Sequence, residues 1–271
     1  MLLTIIFTLL WKIFYVFFML ATIPLLLILL LGKPFLPPIK YYRLAYYIGK
    51  IWGIITIRST GSKVKITGKE LIPQGIPLCF VGNHQNLYDI PALLGYLGRP
   101  IGFIAKKELA RIPILGQWMR QLPSLFIDRE NPRQALQIFE QAIPIIQQGQ
   151  PFVIFPEGGR SGTPFMRKFH RGSLKLPQMA KATIVPFAID GSWRIMDEKT
   201  LIHPAKINIT ILPPIYPQDS IYQDNKLLAH HLEKMIAQQL SAYKSQNPTM
   251  NKNFTLILPN SLLFNCIYLI I

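Results

Sequence analysis

The chain opens on an almost unbroken apolar run. Residues 1–31 carry one charge, Lys12, and from residue 13 to residue 31 there is none. A helix of that length can enter a bilayer. Pro24 lies inside it and predicts a kink, because proline has no N–H and its ring meets the carbonyl four residues back. A straight span and a kinked helix dipping into one leaflet are both open. A cleaved signal peptide is a third reading. Against it, the apolar core is too long, and no small-residue cleavage site stands before Gly32-Lys33. The stiff stretch at 34–38 holds three prolines, Pro34, Pro37 and Pro38. Beyond it, residues 40–57 predict a second helix in which Tyr41, Tyr42, Tyr46, Tyr47 and Trp52 mix with Lys40, Arg43 and Lys50. Aromatic and basic residues together mark the headgroup zone of a membrane.

From residue 64 the pattern changes to short apolar runs separated by helix-periodic segments. Strands are predicted at 64–67, 77–81, 101–105, 126–127, 152–155, 184–189 and 206–212. The last alternates Ile207, Ile209 and Ile211 with polar neighbours, so one face is expected to be exposed. A helix starts near Asp89 and carries Leu93, Leu94 and Leu97, and Lys106 opens a short one. Asn131 caps a third, with Pro132 at its first position and Gln134 placed for a capping box. Ala135, Ile138, Phe139 and Ala142 form its buried face, and Pro144 ends or bends it. A short helix follows Arg171, and Leu228, Leu232, Met235 and Tyr243 mark a late amphipathic helix. The alternation predicts an α/β fold: a layered sheet flanked by helices, with an N-terminal membrane-embedded helical segment. Three parts are expected: 1–60, a membrane helix and an interfacial helix; 61–245, the catalytic domain; 246–271, an apolar C-terminal tail. The uncharged stretch 254–271 reads as a second membrane contact or a poorly packed terminus.

Composition sharpens this picture. The 271 residues are 50% hydrophobic yet carry a formal net charge of +16, and the mean hydropathy is +0.28. A chain both greasy and basic suits a membrane surface rather than nucleic acid. No acidic residue precedes Glu70, while Lys33, Lys40, Arg43, Lys50 and Arg58 follow the first helix. The positive-inside tendency therefore puts the catalytic part on the cytoplasmic side of the membrane. The two cysteines, Cys79 and Cys266, lie far apart in apolar surroundings, which suggests neither a disulfide framework nor a metal site and fits a reducing compartment.

The candidate chemistry sits where apolar runs end. His84 follows one such run, and Asp89 stands five positions on. A carboxylate on one imidazole nitrogen fixes the tautomer and leaves the other nitrogen free as a base. A plain helix start with Asp89 near its N-terminus is the alternative. A second polar island, Glu157-Gly158-Gly159-Arg160, follows another apolar run. Gly158 and Gly159 let the backbone turn sharply and approach a ligand, and the planar fork of Arg160 can grip a phosphate. Arg129, at the end of a third run, is a second phosphate clamp or a salt-bridge partner of Asp128 or Glu130. Glu157 contacts a substrate or braces the loop through Arg160. His84, Asp89 and Glu157 could make a facial metal triad, but no second histidine stands at ligand spacing near His84, so neither metal nor cofactor is expected. The G-x-S-x-G elbow of a serine nucleophile is absent. Oxyanion donors are expected among backbone N–H groups of the His84 turn.

The order NHQNLYD, AKKEL, FIDR, FPEGGRS, HRG and IVPFAI, across residues 64–212, resembles the glycerolipid acyltransferases typified by 1-acylglycerol-3-phosphate acyltransferase. Two positions depart from that family's pattern: Gly159 where threonine is usual, and Asn86 where serine is usual. Lys106 matches a lysine of the family, facing an acyl-chain entrance, a phosphate or the surface. The resemblance implies direct attack by an acceptor alcohol on an acyl thioester, without an acyl-enzyme. The implied partners are acyl-CoA or acyl-carrier protein as donor, a lysophospholipid as acceptor, and membrane lipids. The expected reaction acylates the free sn-2 hydroxyl of 1-acylglycerol-3-phosphate to give phosphatidic acid. Another lysophospholipid or a lyso-ornithine lipid as acceptor, hydrolysis, and a lipid-binding protein without catalysis are the alternatives.

Overall fold

The structure, a computed structural model, describes residues 1–128 and 131–246. The apolar N-terminal run forms two helices, α1 (Leu2–Ala21) and α2 (Ile23–Gly32). Their break at Thr22 has the cause expected of Pro24: without an N–H, proline cannot donate to the Leu20 carbonyl four residues back, and at the break the Thr22 hydroxyl donates to the Met19 carbonyl at 2.6 Å. Helix α3 (Pro38–Ser59) follows, two residues longer at each end than the pattern predicts.

The alternating part runs β1 (Lys63–Thr67), β2 (Leu78–Gly82), α4 (Asp89–Tyr96), β3 (Gly102–Lys106), α5 (Leu115–Met119), β4 (Leu125–Ile127), α6 (Pro132–Gln147), β5 (Phe152–Ile154), α7 (Lys175–Met179), β6 (Thr183–Asp190), β7 (Lys206–Ile211) and α8 (Asn225–Gln246). All seven expected strands are present. Helix α6 continues past Pro144 to Gln147. Its cap differs from the expected box: Asn131 Oδ1 accepts the Gln134 N–H at 3.4 Å, but Gln134 Oε1 accepts the N–H of Asp128 at 2.7 Å, tying the helix start to the end of β4. Lys106 closes β3 opposite Ile127 and also caps the short helix expected there, a 3-10 turn over Lys107–Arg111. The tail 254–271 lies outside the described residues.

The strands form one sheet, ordered β1-β7-β6-β2-β5-β3-β4. Every neighbouring pair is parallel except β6 with β7. A parallel sheet buries both faces, and the alternation along the strands sorts two cores. Leu78, Phe80, Val153, Val185, Phe187 and Ile189 point to the face covered by α3 and α4. Cys79, Val81, Phe152, Ile154, Ile184 and Ala188 point to the face covered by α6 and α8. Strand β7 alternates as expected, with Ile207, Ile209 and Ile211 buried. The N-terminal helices are part of this packing, since Trp11 of α1 and Ile57 of α3 belong to the first core.

Topology places the site. The chain leaves β2 for α4 on one face of the sheet, and leaves β5 for the segment leading to α7 on the other. Strands β2 and β5 are neighbours, so their following loops part and open a crevice at the carboxyl ends of the strands, the usual ligand position of open α/β sheets.

Candidate active site

Gly82 ends β2 where only glycine fits, because a Cβ there would lie 2.4 Å from the Phe187 ring. Asn83 then behaves as a strand residue through its side chain: Nδ2 donates to Ile189 O and Oδ1 accepts the Ile189 N–H, both at 2.9 Å. Gln85 does the same one turn on, its Oε1 accepting the Gly191 N–H at 2.9 Å. These clamps hold the turn against β6 from both sides of His84.

Between them, His84 Nδ1 lies 2.6 Å from Asp89 Oδ2. Asp89 is the first residue of α4 and is fully buried. Its Oδ2 also accepts the N–H of Gln85 at 2.7 Å and of Asn86 at 3.0 Å, while Oδ1 is buried with no partner among the described residues. Both readings of the pair therefore hold together: Asp89 begins a helix, and the same oxygen orients the imidazole. The His84 ring stacks on Phe155 at 4.1 Å between centroids. Nδ1 faces Asp89, so Nε2 is the nitrogen left for chemistry.

Glu157, after β5, braces the loop differently from the arginine contact expected. Its Oε1 accepts the backbone N–H of His84 and its Oε2 that of Arg167, each at 2.6 Å. Backbone bonds then join the two islands directly, Ser161 N–H to His84 O at 2.8 Å and Gly162 N–H to Gln85 O at 2.9 Å. Gly158 has φ +68°, the left-handed region that favours glycine, and the His170 ring lies where its Cβ would point. Arg160 is exposed and stands one residue from the Ser161–His84 bond. Gly159 is half-buried beside Arg167. Lys106 sits on the same carboxyl rim, more than half exposed, with Nζ 3.5 Å from Glu108 Oε1. Arg129 lies outside the described residues.

The amides of His84, Gln85 and Asn86 all donate to carboxylates, so these three are not the oxyanion donors expected in that turn. Sequence reasoning also missed the two amide clamps and the Phe155 stack. A buried polar side chain such as Asn83, directly after a fully apolar strand, was the available signal, since it must find a partner.

Burial, above all, and then the Asp89 charge push the Glu157 carboxyl up to about 7, against the pull of its two amide donors. Between its ordinary 4.5 and this value the folded state binds the extra proton, so stability falls as pH rises through that window. From pH 5 to pH 8 the loss amounts to about 2–3 kcal/mol. Denaturant melts at both pH values should show this loss in the parent protein and not in Glu157→Gln. An equal loss in both would assign the pH dependence to another group.

A family model described as Acyltransferase matches residues 63–190. A probable 1-acyl-sn-glycerol-3-phosphate acyltransferase of Mycoplasma pneumoniae is 33% identical over 196 residues, covering 68% of this chain and 73% of that one. A 1-acyl-sn-glycerol-3-phosphate acyltransferase of Chlamydomonas reinhardtii is 30% identical over 74% of this chain and 62% of its own length. The chloroplastic LPAT1 of Arabidopsis thaliana is 28% identical over 71% of this chain and 55% of its own. The chain thus spans little more than half of these algal and plant relatives. The crystal structure of the LPA acyltransferase PlsC from Thermotoga maritima superposes with a TM-score of 0.76 at 25% identity, covering 89% of this chain and 98% of that one.

Proposed function

Because the chain belongs to the 1-acyl-sn-glycerol-3-phosphate acyltransferase family, we propose that it transfers a fatty acyl group from a thioester to the sn-2 hydroxyl of 1-acylglycerol-3-phosphate, giving phosphatidic acid. The observation that carries this reading is the 2.6 Å His84–Asp89 pair at the crevice mouth, joined by backbone bonds to the Gly158-Gly159-Arg160 loop. A base and an anion-binding loop side by side are what acylation of a phosphate-bearing alcohol needs.

His84 Nε2 takes the hydroxyl proton as the acceptor oxygen attacks the thioester carbonyl. Asp89 stabilises the imidazolium that forms. The tetrahedral oxyanion collapses, the C–S bond breaks, and the thiolate recovers the proton from Nε2. Arg160 holds the acceptor phosphate through its fork, with Arg129 as a second clamp. The donor is acyl-CoA or acyl-carrier protein. The segment Leu2–Phe35 is long and apolar enough to cross a membrane, but α1 is docked on the domain. Thr8 Oγ1 accepts the Ile202 N–H at 2.9 Å, and Thr22 Oγ1 accepts Trp118 Nε1–H at 3.0 Å. Held at Thr8 and at Thr22, α1 presents its opposite face, with the exposed Phe14 and Phe17, to lipid. This favours dipping into one leaflet over a straight span, with the catalytic part on the cytoplasmic side.

The purified protein, assayed with a panel of lysolipids and both donor types, tests the reading. Lysophosphatidic acid should be the preferred acceptor, and no transfer to any lysolipid would sink it. Arg160→Lys keeps the charge and loses the fork, so the acceptor KM should rise severalfold with the donor KM little changed. The opposite pattern would move Arg160 to the donor side.

A further inference from the structure

Helix α1 does more than lie on the surface of the domain. Its Trp11 is 4% exposed and belongs to the main core. The indole stacks on Tyr15 at 4.9 Å, and its Nε1 donates to Ser59 Oγ at 2.9 Å, in the last turn of α3. Its other neighbour is the Tyr88 ring, 6.3 Å between centroids at 58°. Tyr88 is 2% exposed, caps α4, and immediately precedes Asp89. Its carbonyl accepts the Ala92 N–H at 3.1 Å and closes the first turn of that helix. One side of the Tyr88 ring is therefore supported by the helix that carries the exposed apolar face.

We propose that Trp11 is a positioning residue for the His84–Asp89 pair, acting through the Tyr88 ring, so that this one contact of α1, unlike the helix's other docking bonds, sets turnover. The proposal rests on the acyl-transfer reading. The physical argument is one of tolerance. Asp89 Oδ2 gathers three hydrogen bonds between 2.6 and 3.0 Å, an arrangement that a shift of a few tenths of an ångström weakens. Without the indole, the Tyr88 ring loses packing on one side and can move into the space left, carrying the start of α4 with it. Misplacing a catalytic group by about 1 Å costs on the order of a hundredfold in rate.

Two measurements test this in the full-length protein in detergent or vesicles. In the first, kinetics with lysophosphatidic acid compare Trp11→Leu, Trp11→Phe and Trp118→Phe. Trp11→Leu should lower kcat by about tenfold to a hundredfold with both KM values little changed, and Trp11→Phe should recover most of it. Trp118→Phe removes the tether to Thr22 without touching Tyr88, and should stay near the parent kcat. In the second, the ring nitrogen shifts of His84, recognised by their loss in His84→Ala, are read by NMR of histidine-labelled protein without substrate. They should change in Trp11→Leu and return in Trp11→Phe. Parent-like kcat and His84 shifts in Trp11→Leu would overturn the proposal, as would an equal kcat loss in Trp118→Phe, which would reduce Trp11 to general docking. A parent protein inert towards every lysolipid would instead overturn the acyl-transfer reading, and the His84 shifts would still decide the role of Trp11.

Discussion

His84→Ala should lower turnover by about two to four orders of magnitude, the range expected on losing a positioned general base. The fold should survive, because the clamps around the turn belong to Asn83 and Gln85 and the backbone bonds of residue 84 do not involve the ring. The missing ring exposes one face of Phe155 and leaves Asp89 Oδ2 with its two amide donors. Asp89→Asn separates charge from geometry. The asparagine carbonyl can take the three-donor position, with its NH2 where Oδ1 now has no partner. Imidazole orientation is then kept and only stabilisation of the imidazolium is lost. Asp89→Ala loses both and leaves buried donors unpaired, which also costs stability. Turnover should therefore fall in the order Asp89→Asn, then Asp89→Ala. Steady-state rates on protein with parent-like circular dichroism check this, and near-normal turnover in folded His84→Ala would remove the imidazole from the mechanism.

Gly53→Val should be among the most destabilising single changes in the helical layer. Helix α3 crosses α4 with the two backbones almost touching. A Cβ on Gly53 would lie 2.5 Å from the Pro91 carbonyl oxygen and 2.9 Å from the Gly95 nitrogen, and one on Gly95 would lie 3.0 Å from the Ile54 nitrogen. These are backbone atoms, so no rotamer change relieves the clash and the helices must separate. Overpacking of this kind costs about 3 kcal/mol or more. For a domain of this size that lowers Tm by roughly 6–12 °C. Because α4 begins at Asp89, turnover should fall as well, beyond the loss of folded protein. Thermal melts of Gly53→Ala and Gly53→Val should show a graded drop. A valine variant melting with the parent would mean that the helices are not held at this distance.

The sequence on its own determined every strand of the sheet, the kink before Pro24, the amphipathic face of α8 and the His84–Asp89 pair. Each of these is a local matter. Periodicity reports which face a residue takes within its own element, and a histidine and an aspartate five apart need only one turn to meet. The tertiary structure alone decided what crosses between elements. Glu157 finds the His84 amide across 73 positions of chain, Asn83 finds Ile189 across 106, and Trp11 reaches Tyr88 from the apolar helix. The Glu157 crossing also engages the His84 amide, whereas the Gln85 and Asn86 amides are taken locally by Asp89. Whether the His84 N–H is free depends on the carboxylate that the pairing of β2 with β5 brings beside it, and a local pattern carries no record of that pairing.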